Sequence, residues 1–396
     1  MKNNRWLNGV LPAFLMHISI GSVYAFSLLV KPLAQYVGWA EWQIQIAFSL
    51  VILFLGLSAA FCGNLIEKNI RLSSIIGAVC FIGGLASTSF AILNKSLWQF
   101  YLNCGVFCGI GLGITYLTPC KTVMLYFKEN KGLGMGFAVI GFGFASTIAS
   151  PILTNLLDVF ENNIENVFLS LALIYLVPMV LAVILLKKPN SYKKLDQQKF
   201  INFKYKDILK DKLFWIVWVM FFINIHCGLA IIGIDSPMLT ELGASSILIA
   251  LVISVMGLCN GGGRVLFSSM ADYFSRRAFV YLIIFGLSII AVYSYIILPN
   301  IFTLGLLLCG ISAFFGAGFS NISPLLIDRY GIINASKVHG LILSTWGIAG
   351  LTGNNMSVFI HELTGSYDLV YSALGVLYTI GFLLSVYLCF NYKKLE

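Results

Sequence analysis

The chain has 396 residues, 59% of them hydrophobic and only 10% charged, with a net charge of +9. An average soluble domain carries roughly 25% charged residues, so these proportions exclude an ordinary water-soluble fold. The basic excess lies in short loops rather than on a soluble domain, so no nucleic-acid partner is expected.

Apolar stretches long enough to cross a bilayer, about 20 residues each, can be marked twelve times. The first, 8–30, carries His17 and Tyr24; it is too long for a cleavable signal and lacks a small-residue cleavage site, so it reads as a membrane helix. Spans 43–65 and 72–93 follow, joined by a short polar loop, then 97–118 with Cys104, Cys108 and Tyr116. Two cysteines four apart suit a metal pair, but no His or acid stands near to complete it, so packing is the favoured reading and no metal is expected. Span 132–155 holds Gly132, Gly134, Gly136, Gly141 and Gly143. No strand precedes these glycines, so close helix packing explains them better than a dinucleotide loop. Span 166–187 ends at a linker, 188–212, containing Lys188, Lys193, Lys194, Lys199, Lys204, Lys206, Lys210 and Lys212. Such a basic segment cannot insert and reads as a tether at the membrane surface, against anionic lipid. Six more spans follow: 213–234 with His226, 245–267 with Asn260 and Arg264, 278–297, 301–324 with Asn321, 338–360 with Trp346, and 367–390.

The two sets of six repeat each other. Gly63-Asn64-Leu65-Ile66-Glu67-Lys68-Asn69-Ile70-Arg71 is answered by Ser268-Ser269-Met270-Ala271-Asp272-Tyr273-Phe274-Ser275-Arg276. Glu67 and Asp272 stand 205 positions apart, as do Pro119 and Pro324, each of which follows a Gly-x-Gly by six residues. Parallel internal repeats in an apolar chain are a transporter architecture. The expected fold is an all-α membrane protein whose twelve transmembrane helices form two six-helix bundles as parallel repeats. Residues 1–187 form the first bundle, 188–212 the linker and 213–396 the second. Of the 25 Lys and Arg, 22 fall at the termini or in the loops on one side, with only Lys31 and Lys95 opposite and Arg264 inside a span. That bias places both termini in the cytoplasm.

These residues resemble a known family. Gly63-x-Leu65-x-Glu67-Lys68-x-x-Arg71 is similar to the loop signature of the major facilitator superfamily, with Glu and Lys for the usual Asp and Arg and Ile70 for the usual glycine. The second copy keeps Asp272, Arg276 and Arg277 but has Tyr273 for the first basic residue. Three stretches resemble the oxalate/formate antiporter family: Gly21 to Ser27 through Pro32-Leu33, Gly109 to Gly113 through Tyr116 and Pro119, and Asn260-Gly261-Gly262-Gly263-Arg264. The resemblance implies alternating-access transport of small carboxylates without ATP. No GxxxxGK[ST] argues for a nucleotide-driven pump, and neither a cofactor nor an enzymatic activity is expected.

Arg264 is the leading candidate for the substrate site. It lies eight residues before Asp272, so about 12 Å deeper along a helix rising 1.5 Å per residue. A guanidinium at that depth is costly unless it meets water or an anion, and its fork suits a carboxylate. The competing reading is an arginine snorkelling to the interface. The resemblance implies a lysine on the eleventh helix of dicarboxylate exchangers, and here Trp346 takes that position. One cation balances one carboxylate, so a monocarboxylate such as pyruvate, lactate or formate is favoured over a dianion. Tyr24 and Tyr116 match family aromatic positions, and Asn260 and Asn321 are further polar liners. By the same resemblance Glu67, Arg71, Asp272 and Arg276 gate the transport cycle. No acid is visible at mid-span, so His17 and His226 are the candidates for proton coupling, against a structural role for each. A counter-anion is the alternative to protons. The expected protein is therefore a monomeric transporter of a small organic anion in a bacterial inner membrane. The alternative cargo on the same fold is a larger amphiphile such as a drug or siderophore.

Overall fold

The computed structural model describes residues 4–161, 163–189 and 203–392. Among these the regular structure is entirely helical. α1 (Trp6–Ala25) leads into a shorter helix, α2 (Ser27–Val37), and is followed by α3 (Glu41–Lys68), α4 (Ile70–Leu93), α5 (Leu97–Tyr126), α6 (Lys131–Val159) and α7 (Ile164–Leu185). The linker contributes the short α8 (Tyr205–Lys210), with Asp207 accepting a hydrogen bond from the Lys204 N–H. Lys193, Lys194 and Lys199 of the linker lie outside the described residues. Then come α9 (Lys212–Ile232), α10 (Asp235–Glu241), α11 (Ser246–Ala271), α12 (Phe279–Ile297), α13 (Ile301–Tyr330), α14 (Ala335–Ile342), α15 (Ser344–Thr364) and α16 (Asp368–Asn391).

Eleven helices among the described residues are long and apolar enough to cross a bilayer. Their surfaces carry the same message. On α7, Phe168, Leu171 and Met179 are buried while Leu173, Val177 and Ile184 face outward, so the helix is apolar all round. A helix of that kind is stable only against lipid or deep in a protein core. The twelfth expected span, 338–360, is two helices, α14 and α15, that meet at Leu343. The segment is rich in hydroxyl and amide side chains (Ser344, Thr345, Thr352, Asn354, Asn355), which compete with backbone hydrogen bonding. Span 97–118 also ends later than expected, since α5 runs on to Tyr126 and takes Lys121 out of the loop and into the helix.

The chain packs as two compact units. Unit 1 comprises Met1–Lys128, Phe137–Phe200 and Ser336–Gly347; unit 2 comprises Glu129–Gly136, Ile201–Ala335 and Ile348–Glu396. Residues 336–347 therefore belong with the earlier part of the chain and 129–136 with the later part. Small residues make both placements. In unit 1 a side chain at Gly63 would stand 2.9 Å from the Ser336 carbonyl oxygen. In unit 2 a side chain at Gly132 would run into the Ser268 carbonyl, and one at Gly136 would come within 2.9 Å of the Arg264 carbonyl. Gly132 and Gly136 of α6 are thus packing positions, as the sequence indicates.

Candidate functional site

Within unit 2, Arg264 has no exposed surface. It is held from two directions. Its Nε donates to the Asn260 side-chain oxygen one turn earlier, at 2.9 Å, and its guanidinium carbon lies 5.3 Å from the centre of the Phe319 ring on α13. Backbones meet beside it because Gly263 abuts the Ala313 carbonyl and Gly316 abuts the Asn260 carbonyl. The arginine therefore does not snorkel. Its stem is buried and the plane of its fork is fixed, which suits an oxyanion approaching edge-on. Asn321 is buried on α13 and donates to the Ala317 carbonyl at 2.9 Å. Asn224 on α9, which the sequence reading did not single out, is buried and donates to the Phe314 carbonyl at 3.3 Å. Its signal was available: an amide inside the long apolar run of α9.

Within unit 1, four expected residues come together. Tyr116 on α5 is buried, with ring centres at 5.0 Å from His17, 5.4 Å from Trp346 and 5.7 Å from Phe142. Tyr24 packs edge-on to Phe142 at 5.2 Å. Trp346 is fully buried and reaches this cluster because residues 336–347 pack in unit 1. The same segment brings in His339, whose ring lies 6.1 Å from Tyr116. Sequence reasoning missed His339, since it falls at the edge of an expected span where histidines are commonplace.

The two histidines nominated for proton coupling differ. His17 is buried, and its Nδ1 lies 2.9 Å from the Ala13 carbonyl on its own helix. His226 sits in unit 2 with Nδ1 2.9 Å from the Thr352 hydroxyl and Nε2 3.3 Å from the Met356 sulfur, so both nitrogens tie α9 to α15. That geometry describes a structural histidine.

The repeated loop carboxylates occupy equivalent settings. Glu67, at the end of α3, accepts from the Lys121 ammonium at 2.8 Å and from the Ser336 backbone N–H at 3.0 Å. Asp272, just past α11, accepts from the Gly132 and Leu133 N–H groups at 2.9 and 2.8 Å and from Arg277 at 2.9 Å. Each therefore sits on the N-terminus of another helix, α14 or α6, where donors lack intrahelical partners and the dipole favours an anion. The cations are not those the signature suggested. Arg71 is exposed and forms no ion pair among the described residues, because Asn69 caps α4 and leaves Arg71 in its outward first turn. Arg276 turns to the Cys389 carbonyl, and it is Arg277 that folds back on Asp272 while also reaching Asp328 at 3.0 Å. Lys131 completes this group, 2.7 Å from Asp328.

A further ion pair anchors the start of α9. Asp211 accepts from Arg329 Nε at 2.7 Å, from a second Arg329 nitrogen at 2.9 Å, from the Tyr330 hydroxyl and from the Leu213 N–H at 3.0 Å. Burial alone would raise the Asp211 carboxyl, but the Arg329 guanidinium, the Tyr330 hydroxyl and the Leu213 N–H outweigh it and hold the group below the usual range. Among the described residues no group of three or more His, Cys, Asp or Glu could hold a metal ion.

The model of the Major Facilitator Superfamily matches residues 12–351. The chain is 22% identical to the oxalate:formate antiporter of Oxalobacter formigenes over 365 residues, covering 90% of this chain and 85% of that one. It is 25% identical to monocarboxylate transporter 10 of Rattus norvegicus over 341 residues, 78% of this chain and 62% of the relative. Among solved structures, a Major Facilitator Superfamily transporter, FucP, superposes with a TM-score of 0.75 at 13% identity, covering 96% of this chain and 97% of that chain.

Proposed function

Because the chain belongs to the Major Facilitator Superfamily, we propose that this multi-pass membrane transporter carries a small organic monoanion, of the pyruvate, lactate or formate kind, by alternating access. One observation carries the reading: Arg264 is a permanent cation with no exposed surface, inside a helix that crosses the membrane, with its fork oriented by Asn260 and Phe319. An ionisable group at such depth is expensive to hold and marks a substrate pathway. The relatives' names support the substrate class, since one exchanges oxalate and formate and another transports monocarboxylates. A single carboxylate is favoured because Trp346 occupies the position where the resemblance places a second cation. Tyr24, Tyr116 and Trp346 are assigned to the substrate's apolar side, and Asn260 and Asn321 to its polar contacts.

Glu67 and Asp272 are assigned to gating, with Lys121 and Arg277 as their cations. Each carboxylate holds one helix N-terminus in its unit, and releasing it frees a segment contributed by the other sequence half. Both termini are assigned to the cytoplasmic face of a bacterial inner membrane, and the protein to a monomer without cofactor. Uptake of labelled pyruvate by proteoliposomes, competed by lactate, formate, oxalate and a hydrophobic dye, tests the reading. Monocarboxylates should compete best. Competition by the dye alone would assign the fold to an amphiphile instead.

A further inference from the structure

The segment 336–347 places a second histidine inside unit 1. His339 is 1% exposed, and neither of its ring nitrogens has a hydrogen-bond partner among the described residues. A buried polar group left in this state costs about 1–3 kcal/mol. Histidine gains nothing there over phenylalanine unless something that arrives later uses its nitrogens.

The surroundings define what that is. The Tyr116 ring contacts two imidazoles, 5.0 Å from His17 and 6.1 Å from His339. His17 Nδ1 faces the Ala13 carbonyl, which only accepts, so Nδ1 carries the hydrogen and Nε2 is the basic nitrogen. That nitrogen lies 3.9 Å from the Cys120 sulfur. The Tyr116 ring contacts His339 and His17 acts on it as a like charge; the same segment carries Lys337, and its Ser336 N–H meets Glu67, which pairs with Lys121. Phe142 and Trp346 add rings without charge. Glu67 is the one carboxylate in this set, and it is already engaged by Lys121 and the Ser336 N–H.

A proton added to His339 in the empty protein would create a cation in dry surroundings, near another imidazole. Desolvation and like charge both oppose it. An arriving carboxylate reverses the balance, because it accepts a charge-assisted hydrogen bond from an imidazolium N–H. Proton and anion then raise each other's affinity by the same factor. We propose that His339 is a proton-binding site that fills only together with a carboxylate ligand. The proposal rests on the organic-anion reading above and adds the coupling. The proton bonds to a ring nitrogen when the monoanion binds and leaves with it, so the pair crosses without net charge and the histidine returns neutral.

Proton uptake on binding tests it. Pyruvate is titrated calorimetrically into the purified protein near pH 7 in buffers of different ionisation enthalpy, alongside pyruvate counterflow and uptake driven by a pH gradient in proteoliposomes. Wild type should take up about one proton per pyruvate. His339→Gln should take up close to none, bind pyruvate more weakly and lose at least about tenfold more of the gradient-driven accumulation than of counterflow. His339→Phe, which preserves the ring's shape, serves if the glutamine variant is unstable. Undiminished proton uptake in either variant overturns the proposal. So does pyruvate binding by wild type without proton uptake, an outcome that leaves the organic-anion reading standing. A folded variant that loses counterflow and gradient-driven accumulation in equal measure also overturns it, assigning His339 to the anion itself. If wild type binds no monocarboxylate among pyruvate, lactate and formate, both readings fall.

Discussion

The interiors of the two units solve different problems with related sequences. In unit 2 the buried polar residues include Arg264, Asn260, Asn321 and Asn224, with Phe319 against the arginine and backbone contact at Gly263 and Gly316. In unit 1 there is a cluster of rings, Tyr24, Tyr116, Phe142 and Trp346, with two imidazoles, His17 and His339, and no arginine. One interior holds a buried arginine; the other holds two imidazoles among aromatic rings. Internal duplication thus preserves helix packing and loop carboxylates while the chemistry of the interiors diverges. A single fixed cation suits one carboxylate, and the proton site proposed at His339 would make transport depend on pH.

Changing the fixed charge should have the largest effect. Arg264→Lys keeps the charge but loses the planar fork, and one charge-assisted hydrogen bond is worth about 1.5–3 kcal/mol. Pyruvate uptake at subsaturating concentration should fall by about 10- to 100-fold with membrane insertion unchanged. Wild-type uptake by this variant would mean that the fork is not used.

The ring-lined interior can be pushed toward the charged one. Trp346→Lys should shift the oxalate-to-pyruvate preference toward oxalate by about tenfold, or about 1.4 kcal/mol. It should also lower the melting temperature of the empty protein, because a buried ammonium is added without its anion. Oxalate should partly restore that temperature by binding the folded state. An unchanged ratio in competition uptake would return Trp346 to a packing role.

The loop carboxylates compare the units at their edges. Asp272 takes two backbone N–H groups and Arg277, whereas Glu67 takes one N–H and Lys121. Asp272→Asn should therefore change the maximal uptake rate severalfold, more than Glu67→Gln, with a smaller change in apparent affinity, as expected when a two-state element is biased. An effect on affinity alone would contradict a gating role.

The smallest effect is one of stability. The Asp211 carboxyl is held below its ordinary value, so its contribution is complete above the unfolded value near 4 and is lost as pH falls through the folded one. Asp211→Asn should lower the melting temperature by a few degrees at pH 7. The gap between wild type and variant should close toward pH 3, and a gap that widened there would reverse the assigned sign.

Sequence carried the fold far because its signals were periodic and redundant. Eleven of the expected spans are helices of membrane length, and Glu67 and Asp272, paired by the repeat, both cap helix N-termini. The burial of Arg264 was legible from its distance to Asp272. What escaped depends on tertiary placement. Lys121 was counted with the loops because a lysine ends an apolar run, yet Glu67 compensates it inside α5. His339 gave no signal because its burial follows from residues 336–347 packing in unit 1, which no local pattern encodes. Arg71 and Arg276 fit the loop signature by position, but the cations paired with Glu67 and Asp272 are Lys121 and Arg277.

The most direct test of the central claim is equilibrium binding of pyruvate to purified wild type and Arg264→Ala by titration calorimetry. Removing one partner of a buried charged pair costs about 2–5 kcal/mol, so the variant should bind at least about 30-fold more weakly while keeping a cooperative melting transition. An Arg264→Ala protein that binds pyruvate with wild-type affinity would contradict the account.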